Sequence, residues 1–276
     1  FALATWGAKC YDTPMKNLHA MAADAAVQAG EILLKYYKNS YEIQDKSYHN
    51  PVTTADHEAD AFLKDFLMGQ TPDFGWLSEE TVDSEERLDK EYVWIVDPLD
   101  GTKEFIEGVP HFVVSIGLVQ GGSPIVGVLY NPIRKELIQT TENGEVLFNQ
   151  LRTSLCDATG LKAVSCLNSR SETRRGLWEP WTAEFRELTP IGSVAYKLGL
   201  VASGKEEFFV TLRPKNEWDV CAGHALLKAN GGTLKTNTGG EISYNQRKTI
   251  IKPGLTGGNV DLVEAFIERF REREGK

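Results

Sequence analysis

The chain has 276 residues, 41% hydrophobic and 25% charged, which is the composition of a globular protein with one large core or two closely packed ones. Its formal net charge is −9 and it has no long basic run, which argues against a nucleic acid polymer or an anionic membrane as a partner. No apolar run reaches the ~18 residues that a membrane span needs, and the first residues do not resemble a secretory signal. We therefore expect a soluble, cytoplasmic protein with a small-molecule partner.

Two amphipathic helices are predicted in the first part of the chain. In the first, apolar residues recur at every third or fourth position from Leu18 to Tyr36. The second follows the segment "NPVTTAD", in which Thr53 or Thr54 can cap the helix. Asp56 then falls in its first turn.

Strands are predicted in the middle of the chain, in "YVWIVD", "HFVVSIGLVQ", "PIVGVLYNP" and "KELIQTT", with the turn "GGS" joining the second to the third. From about residue 151 the pattern changes to short strands that alternate with helices. We therefore predict an α+β half over residues 1–150 and an α/β half over residues 151–276. No Pro- or Ser-rich linker separates the halves, so we expect them to pack closely.

Cysteine and histidine give no sign of a metal or disulfide framework. The four cysteines are widely spaced without a CxxC pair, and the five histidines form no cluster in the sequence. We expect ordinary reduced thiols, and histidines that are structural or on the surface.

The segment "WIVDPLDGTKEF" (94–105) places Asp97 and Asp100 directly after an apolar strand. We expect Pro98 to hold Asp97 extended, which would end the strand, and the following Gly-Thr pair to begin a helix whose N–H groups face an anion. Carboxylates this close repel one another unless one is protonated or cations lie between them. Ligands that are all oxygen favour Mg²⁺ over Zn²⁺.

Two further acidic segments match this interpretation. "LSEET" puts Glu79 and Glu80 after a short apolar run, and "EWDVCAGHALL" puts Asp219 at the start of a helix. Alone, each has an ordinary explanation, since paired glutamates are usually solvated and an aspartate at a helix start usually caps the helix.

Together, and in this order, "PVTTAD", "LSEE", "DPLDGT" and "WDVCAG" resemble the four signature motifs of a superfamily of magnesium-dependent, lithium-sensitive phosphatases. That superfamily includes inositol monophosphatase, fructose bisphosphatase and 3′(2′),5′-bisphosphate nucleotidase. The resemblance extends from about residue 22 to residue 232, and "DPLDGTKEF" with a distant "WDxxAG" is highly specific. It implies a layered αβαβα sandwich of the sugar-phosphatase type, with the site at the junction of the two halves.

The resemblance also implies a set of metal ligands for two to three Mg²⁺ ions. Glu79, Asp97 and the Leu99 carbonyl would bind the first ion. Asp97, Asp100 and Asp219 would bind the second, which faces the ester oxygen of the substrate.

Further roles follow from the same resemblance. Gly101 and Thr102 would supply N–H groups, and Thr102 its hydroxyl, to the phosphate and the first ion. Asp56 and Thr102, with Glu79, would orient the attacking water. A metal-bound water is acidic enough to act as hydroxide near neutral pH. Whether Glu80 supports a third ion is left open.

Substrate preference is predicted from smaller differences. "LSEE" and "DPLDGTKEF" are more similar to the nucleotidase branch, which favours a 3′(2′),5′-bisphosphate nucleotide such as 3′-phosphoadenosine 5′-phosphate. Where inositol monophosphatases carry a glutamate that accepts inositol hydroxyls, this chain has Leu212 beside Arg213, whose planar fork suits a second phosphate. Ser193 and Lys197 lie in an element that resembles the Ser-x-x-Lys element of nucleotidases. The predicted substrate-binding residues are Asp100, Gly101, Thr102, Ser193, Lys197, Arg213 and Asp219.

The sequence also bears on three other functions. Inositol monophosphatase activity, alone or together with nucleotidase activity, is the runner-up. An inactive magnesium-binding regulatory protein would have lost a ligand or a water-orienting residue, and none is missing. A dinucleotide-binding oxidoreductase would need GxGxxG between a strand and a helix, which "NGGTLKTNTGGE" does not provide. The assembly, monomer or homodimer, is left open.

Overall fold

The computed structural model describes residues 18–39, 42–47 and 50–274. Both predicted helices are present, α1 over Leu18–Tyr36 and α2 over Thr54–Gln70, with a hairpin of β1 (Ile43–Ser47) and β2 (Asn50–Thr53) between them. The cap of α2 is Thr53. Cys10 and His49 lie outside the described residues. Within the described ranges, no helix is both long enough and apolar enough to cross a membrane.

The four predicted strands lie in a seven-stranded sheet in which every strand pairs with its neighbour in the sequence. The first pair is parallel and the other pairs are antiparallel. The strands are β3 (Gly75–Ser78), β4 (Tyr92–Asp100), β5 (Val113–Gln120), β6 (Ser123–Asn131), β7 (Glu136–Thr140), β8 (Val146–Phe148) and β9 (Leu151–Arg152).

The prediction that the "YVWIVD" strand ends at Asp97 was wrong. Asp97 pairs with Ser115 and Asp100 with Val113, so β4 continues through one extra residue that forms a bulge. Pro98 cannot donate to the ladder, but pairing resumes after it. In a regular strand, residues three apart point to opposite faces, and the extra residue brings Asp97 and Asp100 back toward the same side.

A second sheet of five strands has the order β11 (Glu187–Ile191), β10 (Ser165–Ser169), β12 (Phe208–Thr211), β16 (Leu255–Gly258) and β14 (Thr233–Thr236). Strand β10 is parallel to β11 and β12, and the remaining pairs are antiparallel. The alternation of strands and helices predicted for this half is present. The helices are α3 (Thr102–Glu107), α4 (Arg170–Arg174), α5 (Val194–Ala202), α6 (Glu217–Ala229) and α7 (Val260–Glu274). Two further strands, β13 (Lys215–Asn216) and β15 (Ile250–Ile251), pair with each other.

The elements stack in five layers, as the fold prediction required. In β4, Trp94 and Val96 pack with α1 and α2 on one side of the sheet, whereas Val93 and Ile95 pack with α5 and α6 on the other. The far side of α5 and α6 meets the five-stranded sheet, whose other face is covered by α7 through Phe266. The fold is therefore an αβαβα sandwich.

Close approach of α6 to the seven-stranded sheet requires small residues. A Cβ at Gly117 would lie 2.6 Å from the Cys221 sulfur, and one at Gly127 would collide with the Ala222 carbonyl. The hydrophobic core between the two sheets contains residues from both sides of position 150. The division into two halves at that position therefore stays a prediction.

Candidate metal and phosphate site

A cavity of about 400 Å³ opens where the two sheets and the helices between them meet. Its walls come from the end of β4 and the start of α3, from the first turns of α4, α5 and α6, and from Glu79, which follows β3. Parts of the chain before and after residue 150 thus line one cavity.

Three carboxylates converge at this cavity. Oxygens of Glu79, Asp97 and Asp219 all lie within 4.8 Å of one another, and this is the cluster of possible metal ligands found among the described residues. Glu79 is fixed to β4 by its N–H, which donates to the Val96 carbonyl at 3.3 Å. Asp219 accepts from the N–H of Asn216 at 2.9 Å in the first turn of α6. The oxygen-only donor set fits a hard divalent cation such as Mg²⁺.

The charges of this cluster repel one another. Burial, followed by the charges of Glu79, Asp100 and Asp219, raises the pKa of Asp97 well above its usual range. Burial and the charge of Asp100 likewise raise the pKa of Asp219, although Lys215 opposes the shift. A cation between the carboxylates would remove this penalty.

Asp100 is held differently from the other acids. Its Oδ2 accepts hydrogen bonds from the Ser193 hydroxyl and from the Ala195 N–H, both at 2.6 Å. These bonds connect the end of β4 to the start of α5 and orient the carboxylate without using Oδ1.

Asp56 and Thr102, predicted to act as a pair, are in contact. The Thr102 hydroxyl lies 3.1 Å from Asp56 Oδ1 and 3.2 Å from the Leu99 carbonyl. The other oxygen, Oδ2, accepts from the Thr53 N–H at 2.8 Å and from its hydroxyl at 2.6 Å. Burial raises the pKa of Asp56, and the bonds from Thr53 and Thr102 oppose that shift.

Gly101 allows the sharp bend between β4 and α3. It has φ +107°, and a Cβ there would lie 2.7 Å from the His111 carbonyl, so only glycine fits. The bend places the Thr102 hydroxyl next to the Leu99 carbonyl.

Basic residues line the same cavity. Of these, the sequence motifs predicted Arg213, which is exposed, and Lys197, which is buried. Four others were not predicted, although Lys103 lies inside "DPLDGTKEF" and Lys215 lies two residues after Arg213. The basic lining residues are Lys103, Arg170, Arg174, Lys197, Arg213 and Lys215.

Asp60 is a supporting residue that the motifs did not predict. It lies one turn after Asp56 on α2, and it accepts hydrogen bonds from the hydroxyls of Ser78 and, at 2.6 Å, Thr81. These two residues flank Glu79, so Asp60 fixes the turn that carries a carboxylate of the cluster. The spacing of four residues from Asp56 places both aspartates on one helix face, which is the only sequence signal for this role.

Comparison with known proteins identifies the class of molecule. Residues 15–273 match the model of the inositol monophosphatase family. The chain therefore belongs to this family of metal-dependent phosphatases, as its four motifs predicted.

Individual relatives include two kinds of phosphatase. The chain is 33% identical over 237 residues to the 3′(2′),5′-bisphosphate nucleotidase CysQ of Escherichia coli (strain K12), which covers 83% of this chain and 95% of the relative. It is 31% identical over 271 residues to inositol monophosphatase 1 of Solanum lycopersicum, covering 94% of this chain and 97% of the relative. Among solved structures, the extragenic suppressor protein suhB from Bartonella henselae superposes with a TM-score of 0.81 at 27% identity, covering 92% of this chain and 98% of that one. The protein is thus a phosphatase that is similar, to nearly equal degrees, to a nucleotidase and to an inositol monophosphatase.

Proposed function

We propose that the protein is a Mg²⁺-dependent phosphomonoesterase that removes the 3′-phosphate of a 3′(2′),5′-bisphosphate nucleotide such as 3′-phosphoadenosine 5′-phosphate. The observation that carries the proposal is the basic wall of the cavity that contains the acidic cluster. Arg170 is paired with Glu104 and Glu107, but within the described part of the chain Lys103, Arg213 and Lys215 have no ion pair. These charges suit a substrate with a second phosphate.

The acidic residues are assigned to the metal. Glu79, Asp97 and Asp219 would hold two to three Mg²⁺ ions together with Asp100 and the Leu99 carbonyl. Bound Mg²⁺ would lower the pKa of a coordinated water and stabilise negative charge on the leaving oxygen.

The Thr102 hydroxyl is assigned to the attacking water. Because this hydroxyl donates toward Asp56 and the Leu99 carbonyl, its oxygen lone pairs are available to accept a hydrogen bond from a water in the cavity. This hydrogen bond would orient that water, and Glu79 would take its proton.

The substrate is assigned to the basic side. Arg213 would bind the second phosphate in bidentate fashion, and the N–H groups at Gly101 and Thr102 would contact the phosphate that is removed. Lys197 adds positive charge to the wall. We expect the enzyme to act in the cytoplasm.

Inositol monophosphatase activity, alone or as a second activity, is the alternative, because the tomato relative matches 94% of the chain. An inactive Mg²⁺-binding protein is a weaker alternative, since every predicted catalytic position is occupied.

The deciding measurement compares kcat/KM for 3′-phosphoadenosine 5′-phosphate and inositol 1-phosphate. We expect the nucleotide to be preferred, and Arg213→Ala to reduce its kcat/KM at least about tenfold, about 1.4 kcal/mol, while sparing the monophosphate. Arg152→Ala, an exposed arginine outside the cavity lining, is the matched control. A preference for inositol 1-phosphate, or an equal loss for both substrates, would contradict the nucleotide assignment.

A further inference from the structure

Lys197 has an unusual set of partners for a residue in a phosphate-binding cavity. It lies on α5 with only 1% of its surface exposed. Its Nζ donates to three consecutive backbone carbonyls, those of Ile191 at 3.2 Å, Gly192 at 3.4 Å and Ser193 at 2.7 Å. An ammonium has three N–H donors, so these carbonyls account for its whole donor capacity.

The segment that Lys197 holds is strained and tightly packed. Ser193 has φ +55° and ψ 125°, a conformation that is unfavourable for a residue other than glycine. At Gly192, a Cβ would collide with the Glu104 side chain. Such a bend persists only when surrounding contacts impose it, and the ammonium of Lys197 supplies three of them.

The bend has a direct consequence for the acidic site. From this conformation the Ser193 hydroxyl donates to Asp100 Oδ2 at 2.6 Å while its oxygen accepts from the Tyr196 N–H at 2.9 Å. The Ala195 N–H reaches the same Asp100 oxygen at 2.6 Å. The orientation of Asp100 therefore depends on the main-chain conformation of Ser193, whose carbonyl accepts a hydrogen bond from Lys197.

We propose that Lys197 is a positioning residue that fixes the bend at residues 191–193 and thereby orients Asp100 toward the metal, rather than a ligand of the substrate. The inference rests on the proposed function only in taking Asp100 as a metal ligand. It differs from the sequence-based expectation, in which Lys197 contacts the second phosphate.

Electrostatics agrees with this role. Burial lowers the pKa of Lys197 to about 8, and the charge of Asp100 opposes that shift. The ammonium therefore keeps its proton, and all three donors, at neutral pH.

The test measures metal binding as well as activity. Mg²⁺ titration by calorimetry on chelator-treated protein would be done for the parent, Lys197→Met, Ser193→Ala and the double variant. Lys205→Met, an exposed lysine just beyond the end of α5 that stacks on Phe148, is the matched control. We expect Lys197→Met to weaken Mg²⁺ binding about tenfold or more, as loss of an outer hydrogen-bonding partner does at metal sites.

Kinetics supply a second readout. With Mg²⁺ at saturation, Lys197→Met should lower kcat for bisphosphate and monophosphate substrates by similar factors and leave KM nearly unchanged. The double variant should lose less than the product of the two single losses, because both substitutions break the same connection. If Lys197→Met does not fold, Lys197→Gln retains two N–H donors and should give an intermediate Mg²⁺ affinity.

Several results would overturn the proposal. They are an unchanged Mg²⁺ affinity with a KM increase confined to the bisphosphate, multiplicative losses in the double variant, or no Mg²⁺ binding by the parent. A finding that inositol 1-phosphate is the better substrate would refute the nucleotide assignment, yet the Mg²⁺ titration would still decide the role of Lys197.

Discussion

At the scale of residues, the carboxylates of the cavity are set in place by hydrogen bonds from their own main-chain surroundings. Asp97 accepts from the Leu99 N–H at 3.0 Å, Asp219 from the Asn216 N–H, and Asp100 from the start of α5. These main-chain contacts fix the orientation of the carboxylates that would coordinate the cation.

Removing one of these charges should damage catalysis more than folding. We expect Asp97→Asn, Asp100→Asn or Asp219→Asn to lower turnover by about 10²-fold or more, the scale seen when an electrostatic element of a transition state is lost. Steady-state kinetics in excess Mg²⁺ tests this, with Asp65→Asn, at an exposed position on α2, as control. Full activity of the Asp100→Asn variant, or of chelator-treated parent, would mean that the metal mechanism is wrong.

His224 provides a prediction about pH and stability. It is buried with its Nδ1 3.0 Å from the Tyr244 hydroxyl, and burial lowers its pKa from 6.5 to about 4. The unfolded chain therefore binds a proton more readily, so stability present above pH 6.5 is lost as the pH falls toward 4, by up to about 3 kcal/mol. Urea unfolding of the parent and of His224→Gln across this range measures the difference. Parallel curves for the two proteins would show that His224 does not contribute.

At the scale of elements, four strands of the seven-stranded sheet and the longer helices were predictable because their patterns are long and regular. Apolar residues recur with 3–4 periodicity over Leu18–Tyr36 and form continuous runs in β4, β5 and β6. Such patterns show directly which side chains each element buries. The short strands β11, β14 and β16 were missed because four or five residues carry too little periodicity. The bulge after Asp97 was missed because it depends on pairing with β5, which no local signal reports.

The residues of the candidate site also divide into those that could be predicted from the sequence and those that could not. Residues that sit in compact motifs, such as Asp56, Asp97 and Asp219, were predicted by resemblance. Asp60 and the carbonyl contacts of Lys197 could not be, because they depend on which elements the fold brings together.

The turn after β3 should depend on Asp60. An asparagine there can no longer accept from both the Ser78 and Thr81 hydroxyls, which leaves Glu79 less well fixed. We expect Asp60→Asn to cost about 1–3 kcal/mol in stability and to reduce Mg²⁺ affinity about tenfold. Chemical denaturation and Mg²⁺ titration, compared with Asp65→Asn on the same helix, give both numbers. If Mg²⁺ affinity is unchanged, Asp60 supports the fold but not the site.

At the scale of the whole molecule, the acidic cluster takes Glu79 from the turn after β3, Asp97 from β4 and Asp219 from α6, which packs against both sheets. A cation held by all three should therefore stabilise the complete fold. We expect Mg²⁺ at 100 times its dissociation constant to add about 2.7 kcal/mol to the free energy of unfolding. Thermal unfolding with Mg²⁺ or with chelator measures this, and identical midpoints would contradict it. Asp97→Asn is the variant in which the effect should shrink.

Inhibition by lithium is a further expectation for the intact enzyme, because the family resemblance implies a second ion whose occupant exchanges during turnover. Millimolar Li⁺ should lower the rate at fixed Mg²⁺, whereas Na⁺ at the same ionic strength should not. An unchanged rate up to tens of millimolar Li⁺ would count against the second ion site and leave the fold unaffected.

The place of α6 between the two sheets also bears on the order of events during synthesis. A chain that has left the ribosome only as far as Asn216 has all strands of the seven-stranded sheet, but the inner face of that sheet still lacks α6, and Asp219 has not yet appeared. Two strands of the second sheet, β14 and β16, come later still. The cation site therefore cannot be completed before Asp219 and the rest of α6 have emerged, and a chain made only as far as Asn216 has two of the three carboxylates of the cluster.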